Sequence, residues 1–171
     1  MIVMGLDVST TSTGYSVFRN KNLIAYGLIS PKLDEDIYTR MVYTINEINI
    51  LFAKHKVGFI GVEDMVFARS RNTKTAKDIF QLVSMICGVA TLKGISWKLL
   101  YPSEWRKISG IYNSKIKSLK REFQKERAVE LCNELFDLKL EWKSDLNDKK
   151  THHSDIAEAV LIGKSIIDII T

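Results

Sequence analysis

The stretch from Met1 to Phe18, MIVMGLDVSTTSTGYSVF, constrains this chain more than any other. Its first half is a short apolar run of the kind that forms a buried strand, and one carboxylate, Asp7, interrupts it. Removing an ionised Asp from water is costly unless a cation or a set of donors compensates it, so any fold that buries this strand must also answer for Asp7. The residues from Ser9 to Gly14 are small and hydroxylic, which suits a tight turn where a phosphate or metal can approach the backbone. An Asx-turn, with Asp7 bonded to the turn that follows it, accounts for the same residues. Tyr15 to Phe18 resumes the strand pattern.

The segments Thr13 to Arg19 and Leu23 to Ser30 read as two strands joined by Asn20, Lys21 and Asn22, a connection so short that they form an antiparallel hairpin. Pro31 stops the second. Behind Asp34, Glu35 and Asp36, the residues Ile37, Met41, Ile45, Ile48 and Phe52 repeat at helical spacing with one apolar face. Val57 to Val62 is the next apolar strand and ends on Glu63. A crossover long enough for the intervening helix makes that strand parallel to the first, so Asp7 and Glu63 lie near the carboxyl ends of parallel strands. A second helix carries Ile79, Leu82, Val83, Ile86 and Val89 and ends at Gly94; Trp97 to Tyr101 is a further strand. Pro102, Ser103 and Glu104 then lead into a short helix bearing Trp105, Arg106 and Lys107.

With 171 residues, 46% of them hydrophobic and 26% charged, the chain is expected to form one well-packed domain rather than a disordered or disulfide-built one. Cys87 and Cys132 stand far apart in apolar helical patterns, which gives neither metal spacing nor a redox pair. No unbroken apolar run has the length of a bilayer span and the start lacks the pattern of a signal peptide, so the expectation is a cytoplasmic protein with no membrane partner. Net charge is +5, and between Lys98 and Arg127 nine Lys or Arg face three Glu, so one segment sets the sign of the whole and favours a polyanion.

Two regions carry that preference. The loop from Met65 to Lys77 interleaves Phe67 with Arg69, Arg71, Lys74 and Lys77, as a base-stacking or strand-tracking loop requires; a solvated loop whose Phe67 folds back onto the core fits the same residues. After Gly110 to Ser114, which reads as flexible, Lys115, Lys117, Lys120, Arg121, Lys125 and Arg127 decorate a helix whose inner side is Phe123, Ala128, Leu131 and Leu135. Such a face can also be merely solvated. The segment from Glu141 to Lys150 reads as a loop, and the final helix, from about Ser154 to Ile170, is apolar nearly all round and therefore buried.

Asp155 and Glu158 stand three apart in the first turn of that helix and share a face. Acids there are ordinarily caps, which explains one of them better than two on a buried helix. If the helix points its N-terminus at the carboxyl ends of the first and fourth strands, Asp7, Glu63, Asp155 and Glu158 converge. Four acids in one place need divalent cations among them, and two Mg²⁺ or Mn²⁺ ions about 4 Å apart are the device that drives in-line phosphodiester cleavage.

With GLDVSTTSTGY at the start, a strand ending in Val62-Glu63 and DIAEAVLI near the end, the chain resembles the RuvC-type Holliday-junction resolvases of the RNase H-like superfamily, in a compact phage form, along nearly its full length. The resemblance implies an α/β fold with a mixed five-stranded sheet, its first three strands antiparallel and two more parallel to the first, flanked by helices. It implies a nuclease acting on branched DNA as a homodimer, in the host cytoplasm if phage-encoded, with the metal held by the four acids. It also implies a junction-probing aromatic in the loop after Glu63, where MVFARSRN stands, followed by a dimer-forming helix from about Lys74 to Lys93, and a YP segment at Tyr101 and Pro102 before the basic stretch. Glu158 stands where the family commonly has Asp. His152 and His153 precede the last acids closely enough to touch a scissile phosphate or a metal, although histidines on a polar loop are more often idle. The opening is also similar to the first phosphate motif of the actin, hexokinase and heat-shock ATPase superfamily, whose members close a second domain over ATP. A branched-DNA-binding protein without catalysis is the third possibility, against which stand the four acids, since without a metal they would weaken binding to phosphate.

Overall fold

The computed structural model describes residues 1–64, 73–112, 120–142 and 153–171. Its elements are β1 (Ile2–Asp7), β2 (Thr13–Arg19), β3 (Asn22–Ile29), α1 (Ile37–His55), β4 (Phe59–Glu63), α2 (Thr73–Leu92), β5 (Ser96–Leu100), α3 (Pro102–Ile108), α4 (Arg121–Phe136) and α5 (His153–Ile170). One sheet runs in the order β3-β2-β1-β4-β5. The pairings β1–β2 and β2–β3 are antiparallel, and β1–β4 and β4–β5 are parallel. This is the mixed sheet expected, with strand limits within a residue or two. The hairpin turn is shorter than expected, because Asn20 adopts the left-handed conformation and Asn22 already belongs to β3.

Local chemistry fixes the ends of α1. The Asp36 carboxylate accepts from the backbone N–H groups of Tyr38 and Thr39, and Lys56 closes the helix in the left-handed region.

Strand alternation sorts the sheet into two cores. Met4, Leu6, Val17, Ile60 and Val62 point to the face covered by α1 and α2, where they pack with Met41, Phe52, Leu82 and Ile86. Val3 and Phe18 lie in the other core with Trp105 of α3, Ala128 of α4, and Val160 and Leu161 of α5. The same period places Gly5 and Asp7 after Val3 on the second face, and Gly61 and Glu63 after Phe59. Both acids therefore face α5. The glycines let that helix descend onto the sheet: a Cβ on Gly5 would lie 2.2 Å from the Ala159 carbonyl oxygen, and one on Gly14 would lie 2.1 Å from that of Asp155. Ser16 Oγ donates to the Ala159 carbonyl (2.8 Å) and ties the helix to β2. As its composition predicts, α5 is buried on nearly every side.

Three expectations change. The loop after Glu63 does not reach Lys77: Lys74 and Lys77 stand on α2, which begins at Thr73, within a residue of the helix start that the resemblance implied. On α4 the face toward the core is Ala128, Val129, Leu131 and Cys132, whereas Phe123 and Leu135 are exposed. Phe123 lies two residues from Lys125, the first inward position, and is thus turned to the opposite side. Finally, α2 has the length and mean hydropathy, 1.2, to cross a membrane by composition alone, although no unbroken apolar run was evident. Its Leu82, Val83, Ile86, Cys87 and Ala90 are buried on the sheet, so much of that apolar content is core. Cys87 and Cys132 are free and buried, as expected.

Candidate functional site

Asp7 leaves β1 opposite Gly14, and Glu63 leaves β4 one residue beyond the Leu6–Val62 pair, so the two acids emerge from adjacent parallel strands. The first turn of α5 sits above them because Gly14 admits the backbone of Asp155. Ligand oxygens of Asp7, Asp155 and Glu158 all lie within 4.8 Å of one another, which makes these three a group able to hold a metal ion. Glu63 stands beside that group, joined to it through Arg106.

Three of the four acids are held by side-chain donors. Ser12 Oγ donates to Asp155 Oδ2 (2.8 Å), and Lys125 Nζ lies 3.3 Å from Asp155 Oδ1. Arg106 Nη2 donates to Glu158 Oε1 at 3.2 Å and lies 3.9 Å from Glu63 Oε2. The indole Nε1 of Trp105 donates to Glu63 Oε2 at 2.6 Å, and the Arg106 guanidinium stacks 4.7 Å above the Trp105 ring. Glu158 is 6% exposed and counts among the buried charged residues.

The electrostatics follow from this crowding. Burial, then the charges of Glu158, Glu63 and Asp155, push the Asp7 carboxyl well above its ordinary range, with Lys125 opposing them. Burial and then Glu158 push Glu63 up to about 7, against the pull of Arg106, the Trp105 N–H and Arg121. Burial works against the charge on Arg106, but Glu63 and Glu158 outweigh it and raise its pKa. Partly buried acids that repel one another, with carboxylate oxygens as the ligand atoms, fit a hard divalent ion.

Sequence reading missed three participants. It placed Arg106 and Lys125 among surface cations, and Trp105 in a short helix without a role. The available signal was the position of Trp105 and Arg106 just after β5, whose carboxyl end neighbours that of β4. Lys120 caps α4 and Arg121 opens it, both exposed, and Lys74 is exposed in the first turn of α2. Phe67, Arg69, Arg71, Lys115, Lys117 and His152 lie outside the described residues. His153 Nδ1 accepts from the Glu141 backbone N–H (2.8 Å), which ties the segment after α4 to the start of α5.

No protein-family model matches the chain. A crossover junction endodeoxyribonuclease RuvC from Syntrophomonas wolfei is 28% identical over 99 residues, a match spanning 56% of this chain and only 56% of that relative's length. Among solved structures, Thermus thermophilus RuvC in complex with a Holliday junction substrate superposes with a TM-score of 0.72 at 15% identity, covering 96% of this chain and 92% of that one. The yeast mitochondrial Holliday junction resolvase Ydc2 gives 0.57 at 16% identity over 96% and 78% of the two chains. Fowlpox virus resolvase, solved with Holliday junction DNA, gives 0.54 at 16% identity over 98% and 99%. The chain thus shares the fold of the RuvC-like resolvases, and the resemblance read from its motifs is borne out at that level.

Proposed function

We propose that this chain is a structure-selective endodeoxyribonuclease that cleaves Holliday junctions or other branched DNA, with Asp7, Glu63, Asp155 and Glu158 as the ligands of two Mg²⁺ or Mn²⁺ ions. The observation that carries the reading is the group of Asp7, Asp155 and Glu158, where the start of α5 meets the carboxyl end of β1, on a sheet and helix arrangement shared with RuvC. Such ions supply an activated water and stabilise charge on the departing 3′ oxygen.

The chain's own residues supply the frame. Trp105 and Arg106 orient Glu63 and Glu158, while Ser12 and Lys125 orient Asp155. Near-complete burial of Glu158 limits competing solvent. Arg121 is close enough to lower the pKa of Glu63, so an exposed cation flanks the acids where a backbone phosphate would approach. Lys74 and Lys120, together with Phe67, Arg69, Arg71, Lys115 and Lys117, complete the proposed DNA-facing set. His153, at the start of α5, and His152, which precedes it in the sequence, are the proposed accessory groups, and the substrate implies a cytoplasmic site of action.

Two opposed nicks resolve a four-way junction, and a two-fold homodimer delivers them through one interface. The face of α2 turned away from the core carries Phe80 and Met85, and between α2 and β5 lies a groove of about 370 Å³ lined by Phe80, Val83, Cys87, Gly88 and Trp97. Met85 on this side is exposed among the described residues, and a second copy of the chain would bury it.

The test is cleavage of a panel of four-way junctions, forks, flaps and plain duplex with Mg²⁺, run beside ATP turnover. Divalent-dependent nicking of branched substrates is expected. Asp7→Asn should bind junctions and cut none. ATP turnover without nicking would support the phosphotransferase reading instead, and normal cleavage by Asp7→Asn would place the site elsewhere.

A further inference from the structure

Trp105 has no exposed surface and is the largest fully buried side chain, packed with Leu100, Ile111, Leu161 and Ile166. An apolar residue of similar size would serve such a position. A buried indole also carries an N–H that must find an acceptor, and here the acceptor is an ionisable carboxylate, Glu63 Oε2, at 2.6 Å. The backbone of Trp105 is itself anchored, since its carbonyl accepts from the Ser109 N–H (2.8 Å) and from Ser165 Oγ of α5 (3.4 Å). The donor therefore cannot follow Glu63 if that side chain turns.

The next residue extends the arrangement. Arg106 folds back over the Trp105 ring, and from there Nη2 reaches Glu158 Oε1 at 3.2 Å. One short helix thus grips an acid from β4 with one side chain and an acid from α5 with the next. Oε1 of Glu63 accepts no hydrogen bond from any described residue, so the two oxygens of this carboxylate are inequivalent.

We propose that Trp105 is a positioning residue for Glu63: its indole N–H occupies Oε2, fixes the carboxylate rotamer and leaves Oε1 as the single oxygen offered to a metal. This rests on the reading of Glu63 as a metal ligand in the proposed nuclease. Partners that orient a ligand in this way change metal affinity by about tenfold or more when lost.

Two variants test it on the full chain. Trp105→Phe removes the N–H and part of the ring, and incorporation of benzothienylalanine at position 105 keeps the bicyclic outline while sulfur replaces the N–H. Calorimetric titration with Mn²⁺ in the absence of DNA should show both variants binding about tenfold more weakly than the unaltered chain. The benzothienylalanine protein should unfold at an unchanged temperature, which separates lost orientation from lost packing. In single-turnover cleavage the half-saturating metal concentration should rise by the same factor, with junction affinity unchanged. In a Glu63→Gln background, Trp105→Phe should cause no further loss of Mn²⁺ affinity. Wild-type Mn²⁺ affinity in the benzothienylalanine protein would overturn the inference. A parent chain that binds Mn²⁺ but cuts no branched DNA would overturn the nuclease reading alone, because the calorimetric comparison still decides the role of Trp105.

Discussion

Replacing Glu63 by Gln should stabilise the metal-free protein at alkaline pH and leave it nearly unchanged in acid. The carboxyl titrates at 4.5 ordinarily and at about 7 in the fold, where burial and Glu158 disfavour its charge more than Arg106 and the Trp105 N–H favour it. Because the folded value is raised, the protonated form is the one the fold prefers. Stability is fully present below 4.5 and is lost as pH rises through 7. At 1.36 kcal/mol per pKa unit, the ionised side chain costs the folded state about 3 kcal/mol once pH exceeds 8. Gln resembles the protonated acid, and its amide oxygen still accepts from the indole, so the variant escapes that cost. Urea denaturation in EDTA at pH 4.5 and at pH 8.5 measures it: the variant should lead by a few tenths of a kcal/mol at the first and about 3 kcal/mol at the second. Adding Mg²⁺ at pH 8.5 should reverse the order, because only the parent chain regains stability by binding the ion with its full set of acids. Equal stabilities at pH 8.5, or a gap that widens toward acid, would refute the reasoning.

Gly14→Ala places a methyl carbon against the Asp155 carbonyl; overpacking of this kind costs about 1–3 kcal/mol, and by lifting the first turn of α5 it should lower cleavage in a protein that remains folded by circular dichroism. Neutralising Lys117, Lys120 and Arg121 together should flatten the plot of log junction affinity against log salt by about one unit for each phosphate contact removed, and an unchanged slope would leave these residues merely solvated. Met85, half-exposed on α2, should become Glu at the expense of self-association: light scattering should report twice the 19.5 kDa chain mass for the parent and one chain for Met85→Glu, and a monomeric parent with or without junction DNA would exclude the dimer.

Much of this architecture was legible in the chain because the signals were local or periodic. Asp7 inside an apolar run, Glu63 at the end of another and two acids a turn apart on an apolar helix marked the acids, and strand parity alone decides which sheet face they share. The crossover length fixed the parallel pairing of β1 and β4. The donors around the site were not readable in this way. Arg106 and Lys125 look like ordinary surface cations in sequence, and only the tertiary meeting of α3 and α4 with α5 turns them inward. Phe123 was misjudged for a related reason: α4 has several apolar residues on more than one side, and packing against α5 selected the stripe through Ala128 and Cys132. For α2, apolar content on two sides obscured the difference between a core helix, a membrane span and a helix with a second protein surface to cover.

The order in which α5 meets β1 has a consequence for the chain as it is made. The acids come from residues 7, 63, 155 and 158, so a nascent chain extended as far as α4 contains Asp7 and Glu63 but neither acid of α5. It also exposes Val3, Phe18, Leu100 and Trp105 without the helix that covers them. Contacts between elements this distant in sequence form slowly, and until they form the uncovered face is open to aggregation. The same delay keeps the acid group incomplete during synthesis, so in the proposed reading cutting activity is withheld until the last helix has docked.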